Sequence, residues 1–184
     1  QIPPEYILFV GAPNYLPFPQ VSGVYTDNYY TNMDGDIYNE ILSGRFTVHN
    51  ATEAQTVVNK ILKYERTPDI ADSLWFRKGC LIVNETGDQD DSIYWSDARY
   101  TAAYMVNNGY VYVDTFSTFQ GDNATSVVNA TNNGRSFVLY RGNATNNWYA
   151  PFAVNPDGLA NGNKLPIVIS ATCGTLGTGS TPAV

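Results

Sequence analysis

A cysteine placed just past the end of an apolar strand-like run is the residue in this chain best suited to nucleophilic chemistry. Cys173 follows Leu165-Pro-Ile-Val-Ile-Ser-Ala171 and Thr172, with Gly174 next. A thiolate is the reactive form, and an exposed turn lets it reach a carbonyl carbon. A second apolar run, Ser136-Phe-Val-Leu-Tyr140, opens into Arg141-Gly142-Asn143-Ala144-Thr145, so Asn143 stands thirty residues before Cys173. Short buried strands that end in glycine-containing loops are where open α/β sheets set their active groups. A free cysteine is also commonly a small buried hydrophobe, so position alone does not assign a reaction.

The elements needed to hold such loops are legible upstream. Tyr6-Ile-Leu-Phe-Val10, closed by Gly11-Ala-Pro13, reads as a strand buried on both faces, and Ile41 to Phe46 as a second strand. Thr52-Glu-Ala-Gln55 has the form of a capping box, with apolar residues at 54, 57, 58, 61 and 62 in helical spacing behind it. That helix is expected to run to about Tyr64 and to stop before Thr67-Pro68, because proline cannot continue the hydrogen-bond ladder. Cys80 to Val83 follows as a strand, then a helix from about Ser92 to Asn107 with Tyr94, Ala98, Thr101 and Met105 on one face and Gly109 as its stop. Tyr110 to Val113 returns as a strand, and a short helix over Ala124 to Asn129 leads to the strand at Ser136. Strands alternating with helices imply an α/β fold with a mostly parallel sheet covered on both faces.

The run LYRGNATNNW, with NGNKLPIVISATC downstream, resembles the catalytic region of the gingipain family of cysteine peptidases. The family pattern there is Tyr-x-Gly-His-Gly, a Trp, an Asn-x-x-x-Leu-Pro segment, then a strand ending in the catalytic Cys. PEYILFVG, YTDNYYTNMDGDIYNEILSGRF and VVNKILKYE are similar to earlier family segments, so the resemblance runs nearly end to end. It implies a caspase-like α/β/α sandwich over residues 1–173, followed by a flexible Gly/Thr/Ser-rich tail at 174–184. It also implies Cys173 at the nucleophile position and Glu85 at the position of the acidic residue that orients the catalytic His. The family His itself falls on Asn143, and the Gly after it on Ala144. An amide neither takes a proton at neutral pH nor gives one to a leaving amine. The expectation is therefore a peptidase domain of weak or absent activity acting on protein or peptide substrate. Family members continue beyond this point with helices and strands that wall the substrate pocket.

The remaining polar residues have plainer readings beside the functional ones. His49, the only histidine, falls before the capping box and is expected at a solvated helix start. Glu85, read without the family, is an acceptor for a loop amide or a solvated turn carboxylate. Asp88, Asp90 and Asp91, and separately Asp34-Gly35-Asp36 with Glu40, suggest calcium as a structural ion, but turns and helix N-terminal charge explain both groups. Cys80 sits inside an apolar strand and is expected as a buried free thiol. Trp148 and Tyr149 either line a peptide groove or pack in the core.

Composition limits the classes. At 184 residues and 43% hydrophobic content, one domain is the working expectation. Ten Lys and Arg against seventeen Asp and Glu argue against a nucleic-acid partner, and no apolar stretch is long enough to span a membrane. No cofactor motif is present; Gly11-Ala12-Pro13-Asn14 is not the glycine-rich phosphate turn of a Rossmann-like binder. Abundant Asn, Thr and Tyr with two Cys suggest a secreted or cell-surface bacterial protein, and a first residue other than Met suggests an excised or processed piece. The competing class is a non-catalytic binding or structural domain of such a protein.

Overall fold

The computed structural model describes residues 4–21, 23–145 and 147–173. The expected tail at 174–184 lies outside them. The chain divides into two compact units, one reaching Ile61 and the other starting at Leu62.

In the first unit, β1 (Tyr6–Val10) is followed by the short strands β2 (Gln20–Val21) and β3 (Val24–Tyr25), then by α1 (Asn28–Thr31) and β4 (Leu42–Phe46). β1 and β4 pair in parallel, and β2 and β3 form an antiparallel hairpin. The expectation that β1 is buried on both faces is not met. Tyr6, Leu8 and Val10 alternate along one exposed face, while Phe9 is buried on the other. Arg45 of β4 organises this unit. Its guanidinium meets the Asp27 carboxylate through Nε at 2.9 Å, donates to the carbonyls of Gly11 and Leu16, and lies over the Phe18 ring.

The helix expected from the capping pattern is α2 (Ala51–Arg66), and its start differs from the expected one by a turn's detail. Asn50, not Thr52, is the cap. Its side-chain oxygen accepts from the Glu53 amide at 2.9 Å, and Glu53 accepts in return from the His49 amide at 2.7 Å. The Asn50 oxygen satisfies one amide that the helix start leaves open, while the Glu53 carboxylate holds the amide of His49 just before the cap, so the start is fixed by Asn50 and Glu53.

In the second unit, β5 (Lys78–Asn84), α3 (Asp91–Asn107), β6 (Tyr112–Ser117), α4 (Ala124–Asn132), β7 (Phe137–Gly142) and β8 (Ile167–Ala171) follow in order. Four strands form one parallel sheet in the order β6-β5-β7-β8. β5 is apolar along its length because both its faces are covered. Cys80 and Ile82 pack with Val138, Tyr140, Phe152 and Val127 of α4; Leu81 and Val83 pack with Leu139 and with Tyr94, Ala98 and Met105 of α3. Each such aliphatic side chain contributes about 1.5 to 3 kcal/mol on burial, which makes this strand the centre of the unit. Gly109, with φ of 95°, ends α3 as its left-handed position requires.

Two expectations need correcting. The strand placed at Tyr110–Val113 is β6 at Tyr112–Ser117, because pairing with β5 carries it on to Ser117. β8 was expected as a buried strand, yet Ile167, Val168 and Ile169 are each at least 43% exposed. β8 is the edge of the sheet, and of its residues Ala171, at the C-terminal end, packs against the α3 side of the core.

Candidate functional site

The parallel sheet brings the C-terminal ends of its strands to one edge, and the three sequence-derived positions all stand there. Glu85 follows β5, Asn143 comes directly after β7, and Cys173 is two residues past β8. β7 and β8 are neighbours in register, with Arg141 opposite Ala171. Past that pair the two chains stay tied, since the Thr172 hydroxyl donates to the Gly142 carbonyl and Arg141 Nη1 donates to the Ala171 carbonyl at 2.6 Å. Cys173 is exposed and unpaired with Cys80, which is fully buried. Burial pushes the Cys80 thiol well above its ordinary range, so it stays protonated.

Glu85 is not the solvated turn carboxylate that one reading expected. It is 6% exposed and accepts from the Phe119 amide at 3.0 Å, the Ser117 hydroxyl and the Trp95 indole N–H. Burial works to raise its pKa, but these donors favour the ionised form and the net effect holds it below the usual glutamate value. Its donors come from β6, α3 and the turn after β6, so the carboxylate braces that side of the sheet's C-terminal edge.

Asn84, one residue earlier, is the group that sequence reasoning missed. It is 1% exposed, and its amide nitrogen donates to the Tyr140 hydroxyl at 2.9 Å and the Tyr149 carbonyl at 3.0 Å, while its oxygen accepts from Thr118. The Tyr140 hydroxyl in turn donates to the Asn143 carbonyl at 2.7 Å. Trp148 stacks on Tyr140 with centroids 4.5 Å apart and donates its indole N–H to Ser170 of β8 at 2.8 Å. Trp148 thus packs rather than standing free, and Tyr149 beside it is 43% exposed. A polar residue closing an otherwise apolar strand was the one available signal for Asn84.

On the α3 face, Arg141 meets Asp97 at 2.8 Å, and its guanidinium lies 4.9 Å from the Tyr94 ring centroid. A groove of about 320 Å³ opens here, lined by Asp97, Tyr100, Thr101, Leu139, Arg141 and Ala171. The Tyr94 phenol is held above its ordinary value, first by burial and then by the negative charges of Asp90 and Asp88.

The other candidates have local tasks. His49 Nδ1 lies 3.1 Å from the Glu53 carboxylate at the solvent-exposed start of α2. Asp91 accepts from the amides of Thr86 and Gly87, and Asp88 from the Thr86 hydroxyl and the Asp90 amide, as a turn before a helix requires. Asp34, Asp36 and Glu40 bring carboxylate oxygens within 4.8 Å of one another on the surface. All three already accept from backbone amides, at Asp36, Tyr38 and Met33. No helix among the described residues is long and apolar enough to cross a membrane.

Gingipain R2 of Porphyromonas gingivalis is 24% identical over 173 residues, which is 91% of this chain and 24% of that protein. Lys-gingipain HG66 of the same species is 26% identical over 153 residues, 82% of this chain and 9% of that protein. The chain therefore spans a quarter or less of the curated relatives it matches. Among solved structures, that of the Arg-specific cysteine proteinase gingipain R superposes with a TM-score of 0.78 at 22% identity, covering 97% of this chain and 43% of that one. A second, described as the structure of a protease, gives 0.80 at 21% identity, covering 91% and 38%. The fold is the caspase-like α/β arrangement of the gingipain catalytic domain, with its parallel four-stranded sheet between helices. The family model for peptidase family C25 matches residues 1–179, and the chain belongs to that family.

Proposed function

We propose that this chain is a gingipain-like cysteine-type endopeptidase domain in which Cys173 is the nucleophile position, Asn143 the position of the missing base and Glu85 the acidic position. The observation that carries the reading is the neighbouring exit of Asn143 and Cys173 from adjacent parallel strands, in a chain of this peptidase family. In the reaction so assigned, Cys173 Sγ attacks the scissile carbonyl carbon, the C–N bond breaks, and water hydrolyses the resulting thioester. Backbone N–H groups near Gly142 and Cys173 are the candidate donors to the oxyanion. The proton removed from the thiol must reach the leaving amine, and the Asn143 amide has no means of carrying it. A positioned general acid/base contributes about 10²- to 10⁴-fold, so cleavage is weak or absent.

A second reading is favoured by Glu85, whose oxygens are occupied by Phe119, Ser117 and Trp95. With that carboxylate spent on bracing the fold, the domain serves as a non-catalytic binding or structural module. In either case the reading includes a protein partner and a secreted or surface-exposed bacterial setting, supported by the similarity to gingipains of Porphyromonas gingivalis.

The test is cleavage of peptides containing Arg or Lys by the chain as it stands, by Asn143→His and by Cys173→Ala. Background cleavage by the first and Cys173-dependent cleavage by the second are expected. Cleavage by neither supports the binding module, and strong Cys173-dependent cleavage by the unmodified chain contradicts the inactivity.

A further inference from the structure

The hydrogen bonds behind the β7 loop have a direction that the residues themselves impose. Tyr149 offers a carbonyl to Asn84, so the Asn84 group facing it must be the NH₂. One of its protons goes to that carbonyl and the other to the Tyr140 oxygen; the amide oxygen on the far side takes the Thr118 hydroxyl proton. With its oxygen accepting from Asn84, Tyr140 has its single proton left for the Asn143 carbonyl. Burial keeps the Tyr140 phenol above its ordinary value and hence neutral, so the donor is always present.

Sterics add to the hydrogen bonds. At Gly142 a Cβ would come within 2.6 Å of Asn84 Cβ and 3.0 Å of the Tyr140 oxygen, so the main chain lies directly on this pair. On its other side the Tyr140 ring carries Trp148, which reaches Ser170 three residues before Cys173. The same two side chains therefore support the backbone at position 143 and, through Trp148, the strand that delivers Cys173.

We infer that Asn84 and Tyr140 are positioning residues of this site: the relay from the Asn84 amide through the Tyr140 hydroxyl to the Asn143 carbonyl fixes where the side chain at position 143 stands relative to Cys173. The inference rests on the reading of Asn143 and Cys173 as the base and nucleophile positions. It assigns no chemical step to either residue, since both are buried and act through the main chain.

Tyr140→Phe is the sparing test, removing one hydroxyl and keeping the ring that Trp148 stacks on; Thr118→Val, which frees Asn84 on its other side, is the second variant. In the chain otherwise unchanged, amide exchange at Thr145 and Tyr149 is expected to quicken about tenfold in Tyr140→Phe, the size of one lost hydrogen bond. Exchange at Leu81 and Val83, in the middle of β5, should stay the same. In the Asn143→His background, adding Tyr140→Phe is expected to return the pH profile of Cys173 alkylation toward that of the Asn143 chain. Unchanged exchange at Thr145 and Tyr149 overturns the inference. So does faster exchange with an unaltered alkylation profile. If Asn143→His alone leaves the profile where it was, the pairing of positions 143 and 173 falls, and the exchange data then decide separately whether the relay holds the loop.

Discussion

Arg141 and Ala171 face each other across β7 and β8, and two residues beyond each of them stand Asn143 and Cys173. The sheet register thus carries both strands to the same edge, and the backbone just past each strand completes the placement of the two positions. Under the proposed function, what separates this pair from an active one is the amide at position 143.

Gly142 lies on Asn84 so closely that any side chain must displace something rigid. The nearest atoms to an added Cβ are Asn84 Cβ at 2.6 Å, the Tyr140 hydroxyl oxygen at 3.0 Å and the Asn84 carbonyl oxygen at 3.1 Å. Gly142→Ala is expected to destabilise the chain by about 1 to 3 kcal/mol, the usual cost of overpacking. Chemical denaturation followed by tryptophan fluorescence measures it, and an unchanged midpoint would contradict the packing described.

Arg45 and Asp27 form the buried ion pair of the first unit, with side chains 6% and 17% exposed. Asp27→Asn leaves the guanidinium without its counter-charge, and a loss of about 3 to 5 kcal/mol is expected. Two carbonyls and the Phe18 ring still hold Arg45, so the lower end of that range is the closer expectation. Denaturant titration with a probe in the first unit checks it.

Glu85 gives the clearest pH dependence. Its folded pKa lies below the unfolded value, so its contribution to stability is present above the unfolded pKa and is lost as pH falls through the folded one. Glu85→Gln is expected to lower stability at neutral pH and to flatten the acid limb of the stability curve. Denaturation midpoints across that limb decide it, and parallel curves for the two chains would count against the carboxylate's role.

The strands and helices of the second unit were legible because each carries a strong local signal. β5 is a continuous apolar run, α3 has helical spacing closed by Gly109, and β7 and β8 end in glycine-containing or cysteine-bearing turns. The start of α2 was misread because Thr52 and Asn50 both suit a cap, and only the Glu53 partner separates them. β8 looked buried because Ile-Val-Ile is apolar on both faces, whereas its place at the sheet edge depends on strand order, which composition does not encode. For the site, the positions were readable and the supporting contacts were not. Asn84 in particular gave no sign of spanning Thr118, Tyr140 and Tyr149, residues that only the fold assembles.

Under the proposed function, Cys173 lacks a proton acceptor because Asn143 stands where one is needed. Alkylation of Cys173 as a function of pH tests it directly, with Cys173→Ala as the blank; Cys80 is fully buried and should contribute little while the fold is intact. Slow alkylation of the unmodified chain at pH 6 is expected, with at least about a tenfold rise in Asn143→His, in keeping with activation of a cysteine by a neighbouring imidazole. Rapid, Cys173-dependent alkylation of the unmodified chain at pH 6 would contradict it, because some other group would then be activating the thiol.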